Sequence, residues 1–126
     1  MIKEMKGWKV ISSGRESCRL RQYRYFKDNY GNDHKKWVIV YPVGVEVFPK
    51  VKGSKIFVFK EKDDAESFAD FGEVVVPCVA KNAVKVKWIC ETIGGLANFW
   101  EERRKSETRG KAPEGTYLAE SITCLE

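Results

Sequence analysis

The sequence predicts an α+β fold: one β-rich domain over residues 1–126, with a mostly antiparallel sheet and two short helices. Three observations lead there. Runs rich in β-branched and aromatic residues recur along the chain, each bounded by Gly, Pro, Asn or Asp. Only two segments, near 63–71 and 95–106, carry apolar residues at helical spacing. The 126 residues are 43% hydrophobic, enough for a core, and no linker or low-complexity stretch divides them.

In chain order, Trp8 to Ile11 reads as a first strand, ended by the turn residues SSGRES. Residues 18–26 form a second, followed by the turn DNYGND. WVIVY at 37–41 and VEVF at 45–48 flank Pro42 and Gly44, which predicts a strand pair joined by a short turn. KIFVFK at 55–60 has apolar residues on both faces, as in a central strand. A helix then starts with Asp63 as cap and Glu66 in capping-box position, and Gly72 stops it. Ala65, Phe68, Ala69 and Phe71 are expected to face the sheet.

EVVVPCVA at 73–80 returns to strand, and Pro77 predicts a bulge or an edge position for it. Lys81-Asn82 reads as a tight turn into VKVKWIC at 84–90, whose valines alternate with lysines. GLANFWEERRKS at 95–106 is the second expected helix, with Leu96, Phe99, Trp100 and Arg103 on one side. TYLAESITCL closes the chain as a strand.

The charge balance, 23 Lys and Arg against 18 Asp and Glu, gives +5 and favours anionic partners such as nucleotides or nucleic acid. MIKEMKGWKV lacks an apolar run of signal-peptide length and no segment approaches a membrane span, so the expected location is cytoplasmic, away from any membrane. Cys18, Cys78, Cys90 and Cys124 are widely spaced and the lone His34 lies in a turn; four free thiols, no metal site and no cofactor are expected.

Catalytic signatures are missing. There is no Gly-x-Ser-x-Gly, no Walker loop and no His-Glu-x-x-His. Asp63-Asp64 and Glu101-Glu102 are explained by capping and solvation, so no catalytic residue is assigned. Binding has more support. Gly94-Gly95 stand directly before the second expected helix, where free amides favour a phosphate. Arg103, Arg104 and Lys105 end that segment, and Arg109 and Lys111 follow it. Asn98 and Phe99 lie between, an amide able to read a base edge and a ring able to stack on one. Each feature has an ordinary structural explanation; their concentration in 94–111 is the signal.

RLRQYRYFK at 19–27 adds a second basic face. Arg19, Arg21, Tyr23, Tyr25 and Lys27 share one side of the expected strand and Arg24 neighbours them. Cation–π contacts within that ladder explain it structurally, and forked guanidinium donors beside stacking rings equally suit a phosphate-and-base ligand.

The layout, with its early Trp, YPVGVEVFPKVKGSKIFVFKEKDDAESFA, PCVAKN, FW and PEGTYLAESITCLE, resembles the first family of phage anti-Thoeris proteins. That resemblance covers most of the chain in layout and rests on no short diagnostic motif. It implies a non-enzymatic homo-oligomer in the host cytoplasm that sequesters a cyclic ADP-ribose immune signal intact; some relatives also hold cyclic oligonucleotides. It further implies ligand contacts by an Asn, an aromatic and arginines of neighbouring subunits, roles that Asn98, Phe99, Arg109 and one arginine of 19–24 could fill here. Two other readings stay open: a general RNA- or DNA-binding module using the 19–27 face, and a small nucleotide-processing enzyme with Glu101 or Glu120 as base. The exposed apolar bulk of Trp88, Phe99 and Trp100 also leads to an expectation of self-association.

Overall fold

The computed structural model describes residues 1–17, 38–50, 54–90 and 109–126, of which 88–90 and 109–111 are described as backbone. In chain order the elements are β1 (Ile2–Ser12), β2 (Glu46–Val47), β3 (Ile56–Phe59), α1 (Lys62–Phe68), β4 (Glu73–Lys85), β5 (Trp88–Cys90), β6 (Arg109–Lys111), β7 (Thr116–Ala119) and β8 (Ser121–Cys124). The frame is the antiparallel pair of its two longest strands. β1 lies along β4 from Ile2 opposite Ala83 to Ser12 opposite Glu73.

The other edge of β4 carries β8 and then β7 in a single phase: Cys78 opposes Cys124, Lys81 opposes Ser121, and Val84 opposes Leu118. β7 in turn pairs with β3, and β8 pairs with β2. The circuit closes where Phe59 of β3 meets Trp8 of β1, so the six-stranded sheet curls back on its own first strand. β5 and β6 form a separate two-stranded ribbon.

Closure explains the burial. One face of β1 puts Met5 and Ile11 into the main core with Ile56, Val58, Cys78, Ala80, Ala119, Ile122 and Cys124. Its other face puts Trp8 and Val10 into a smaller core with Phe59, Ala65, Phe68 and Val75, beneath α1. All four residues of β7 are buried, as expected of a strand lined on both sides.

The sheet differs from the sequence reading in several places. The two-helix expectation is corrected: among the described residues there is one helix, α1, and the expected second helix at 95–106 falls outside them. Apolar spacing over so short a segment is weak evidence, because most helical stability comes from packing. The start of α1 is also corrected. Glu61 is the extended residue before it, no side chain caps it, and Asp63 and Asp64 sit in the first turn, where the helix dipole favours their charge. The helix ends at Ala69, before Gly72, and Phe71 is fully exposed instead of facing the sheet. Gly72 (φ +82) belongs to the turn back into β4, where Asp70 N–H donates to the Glu73 carboxylate at 2.7 Å and Glu73 N–H donates to the Asp70 carbonyl at 3.0 Å.

The expected pairing of 37–41 with 45–48 is absent among the described residues. Val40 instead bridges to Glu16, and β2 pairs with β8. The reason is Gly44 (φ +77), whose N–H donates to the Cys124 carbonyl at 2.8 Å and draws this segment to the end of β8. Lys81-Asn82 is not a turn. β4 continues through it, with Asn82 in the left-handed region (φ 52) and its amide donating to Glu120 at 2.7 Å. Pro77 sits in a central strand. Its carbonyl accepts from Leu125 at 2.9 Å, so the side of Pro77 that lacks an N–H faces the residue just past the end of β8, and the pairing with β1 is left undisturbed.

Closure also depends on Gly7. A Cβ at this position would stand 2.6 Å from the Phe59 carbonyl oxygen, a backbone atom that cannot turn aside. Gly7→Ala should therefore destabilise by about 1–3 kcal/mol, the usual cost of overpacking. Gly14→Ala, whose nearest contact would be the Ser12 hydroxyl at 3.9 Å, should stay within about 0.5 kcal/mol. Urea unfolding of both variants checks this, and equal effects would remove Gly7 from the closure.

Candidate functional site

A pocket of about 250 Å³ opens between the end of β4 and the turn preceding β7, lined by Lys85, Val86, Lys87, Ala112, Pro113, Glu114 and Gly115. Its walls are tied together by main-chain bonds. Val86 N–H donates to the Thr116 carbonyl at 3.0 Å and Ala112 N–H to the Lys87 carbonyl at 2.8 Å. The Thr116 side chain and N–H both donate to the Pro113 carbonyl, closing the turn. Gly115 (φ +77) lets that turn pass against the Asp64 carboxylate of α1, where any side chain would collide. The scaffold is thus tied to the end of β4 and the start of β7, with α1 alongside.

Two exposed ammonium groups against one carboxylate make the lining favour an anion. Lysine meets phosphate as a mobile point charge, with less geometric demand than a guanidinium. The ionisable side chains of the lining are Lys85, Lys87 and Glu114. Lys85 and Lys87 were legible in VKVKW only as the polar side of a strand. Nothing local announced that the chain 112–115 would fold over them.

Most of the residues picked from sequence are not among those described. Arg19, Arg21, Arg24, Gly94, Gly95, Asn98, Phe99 and Arg103 lie outside the described residues, as does Glu101. Arg109 opens β6 opposite Cys90, and Lys111 stands opposite Trp88, one residue before the pocket wall at Ala112. Glu120, the other carboxylate considered as a base, accepts from Asn82 at 2.7 Å and pairs with Lys55 at 3.5 Å. The Asn82 bond, aided by Lys55, holds its carboxyl below the ordinary value, which makes it a poorer base. Glu46 is lowered likewise by the hydroxyl of Ser121, with Lys81 adding to it.

A second polar cluster was missed altogether. Lys9 is buried inside the closed sheet, its ammonium donating to the Phe57 carbonyl at 2.7 Å and lying 5.5 Å from the centre of the Tyr41 ring. Tyr41 is itself buried, its carbonyl held by Arg15 at 2.8 Å. Cys78 and Cys124 are free, buried thiols facing the same interior. Burial, and then the neighbouring Cys124, pushes the Cys78 thiol up to about 12, with Lys9 opposing; burial raises Cys124 too. Among the described residues no group of three or more His, Cys, Asp or Glu could hold a metal ion, and no helix is long and apolar enough to cross a membrane.

The Cys78 shift has a consequence for stability. A thiol whose folded pKa exceeds its unfolded one favours the folded state while protonated. Its contribution is fully present below about pH 9 and is lost as pH rises toward about 12. Between these limits wild type should lose stability more steeply with pH than Cys78→Ala. Urea unfolding at successive alkaline pH values measures both slopes, and parallel slopes would contradict the assignment.

Comparison with known proteins adds no relative. No family model matches the chain, and neither a curated protein nor a solved structure matches it significantly.

Proposed function

We propose that the chain is a binding protein that captures a small phosphate-bearing nucleotide and releases it unaltered. The observation that carries this is the rigid pocket at 85–87 and 112–115, with Lys85 and Lys87 on one wall and the Arg109–Lys111 strand leading into the other. At about 250 Å³ it suits a phosphate or pyrophosphate group better than a whole dinucleotide. The base would then be read by groups outside the described lining, the role that Asn98 and Phe99 fill in this proposal. The finer reading, a cyclic ADP-ribose or cyclic oligonucleotide signal trapped to block host anti-phage defence, is supported by the resemblance in layout alone.

Self-association belongs to the same reading. Val43, Val45 and Phe48 are exposed along and around β2, the last strand of the sheet order, and Leu125 is exposed just beyond β8. A second copy is the simplest cover for such an edge.

Calorimetry with cyclic ADP-ribose and with a cyclic dinucleotide tests the proposal, with the ligand recovered after denaturation. Saturable binding and intact ligand are expected. Losing a hydrogen bond to a charged group costs roughly 1.5–3 kcal/mol, so Arg109→Ala and Lys87→Ala should each weaken binding about tenfold to a hundredfold. Lys6→Ala, opposite Val79 and well up β4 from the pocket, should change it little. Equal small losses in all three, with binding only to long polymers and a steep salt dependence, would favour the nucleic-acid module instead. A chemically altered ligand would favour the enzyme.

A further inference from the structure

We infer that Cys78 and Cys124 are a paired dithiol, placed to close an interstrand disulfide that locks β8 to β4. The two residues are direct cross-strand partners. Residues opposite each other in an antiparallel pair point to the same side, and both thiols lie in the main core. Their position in the ladder is also settled. Leu125 N–H donates to the Pro77 carbonyl at 2.9 Å, so the adjacent 77/125 position is the hydrogen-bonded one. Hydrogen-bonded and non-hydrogen-bonded positions alternate, which puts Cys78 and Cys124 at a non-hydrogen-bonded position, where Cα atoms stand about 4.5 Å apart and side chains come closest. That separation lies inside the range of roughly 4.4–6.8 Å that disulfides span.

Burial decides when the bond can form. Each thiol is only 1% exposed, so an oxidant as large as a disulfide tripeptide has no access in the closed sheet. Burial also keeps both sulfurs protonated, and the thiol is a poor nucleophile. Opening β8, a four-residue strand covered on its far edge only by the two-residue β2, frees both partners together. Arg15 and then Lys9 favour thiolate at Cys124, and Lys9 favours it at Cys78.

The oxidant is a small disulfide such as oxidised glutathione. One cysteine, having given its proton to solvent, attacks a glutathione sulfur; a protein–glutathione bond forms and one glutathione thiolate leaves. The second cysteine loses its proton and attacks the protein sulfur of that mixed disulfide, expelling the second glutathione. Two protein thiols are oxidised to one disulfide, one glutathione disulfide is reduced to two thiols, and the two protons return to the leaving thiolates.

The bond would fix the strand to which β2 and Gly44 are tied, turning a segment held by ladder bonds into a covalent one.

The full chain, incubated with oxidised glutathione just below its unfolding midpoint, then alkylated under denaturing conditions and digested, tests this. The expected product has lost two hydrogens and gives a peptide pair linking Cys78 to Cys124. Cys78→Ser should stop at a glutathione adduct on Cys124, the intermediate of the exchange, and Cys124→Ala should stop at one on Cys78. The linked wild type should melt roughly 10 °C higher than the reduced form, and return on adding reductant. Free or singly glutathionylated Cys78 and Cys124 in wild type, a link to Cys18 or Cys90 instead, or a linked protein with an unchanged or lower midpoint would each overturn the inference.

Discussion

The contact on which the rest of the structure depends is the approach of β1 to Phe59 at Gly7 and Trp8. β1 is already paired with β4 along its length, and a second partner on its free edge converts an open sheet into a closed one. Closure removes an exposed edge and gives a small chain two cores, one inside the curl and one under α1. Gly7 is the local condition for it, because a side chain would meet main chain and not a movable rotamer. The pocket inherits its rigidity from the same arrangement, since β4 and β7 reach it from within the circuit.

Closure also has a cost, visible at Lys9. On a strand alternating in and out, position 9 falls on the inner face with Met5 and Ile11, so its ammonium is drawn into the interior. It is accommodated by a carbonyl and a ring instead of a carboxylate. A buried cation is tolerable when its donors are satisfied and its long stem packs as hydrocarbon. The two cysteines beside it fill the same space as small apolar side chains that keep their protons.

How much of this was legible depended on whether the cause was local. KIFVFK announced a central strand by its composition, EVVVPCVA announced a strand but not its central place, and TYLAESITCL reads as one closing strand. The structure divides that segment at Glu120 into β7 and β8, which share one register against β4 but change partner on the far edge from β3 to β2. Asn82 and Pro77 misled for a physical reason. Left-handed backbone and a missing donor usually end strands, but here one is satisfied by Glu120 and the other faces past a strand end. The second helix was inferred from apolar spacing with no packing partner in view. For the site, the sequence concentrated attention on 94–111, of which the described part is Arg109 to Lys111. Lys85 and Lys87 came into view only through the turn at 112–115, a contact that no local pattern encodes.

The closed circuit is the claim to which the packing of both cores, the burial of Lys9 and the shape of the pocket all answer. Cross-strand nuclear Overhauser contacts from β1 in solution test it most directly. The account predicts that Trp8 shows main-chain contacts to Pro77 on one side and to Phe59 on the other, with slow exchange of the β3 amides. Contacts to Pro77 alone, with β3 amides exchanging freely along that edge, would mean an open sheet and contradict it.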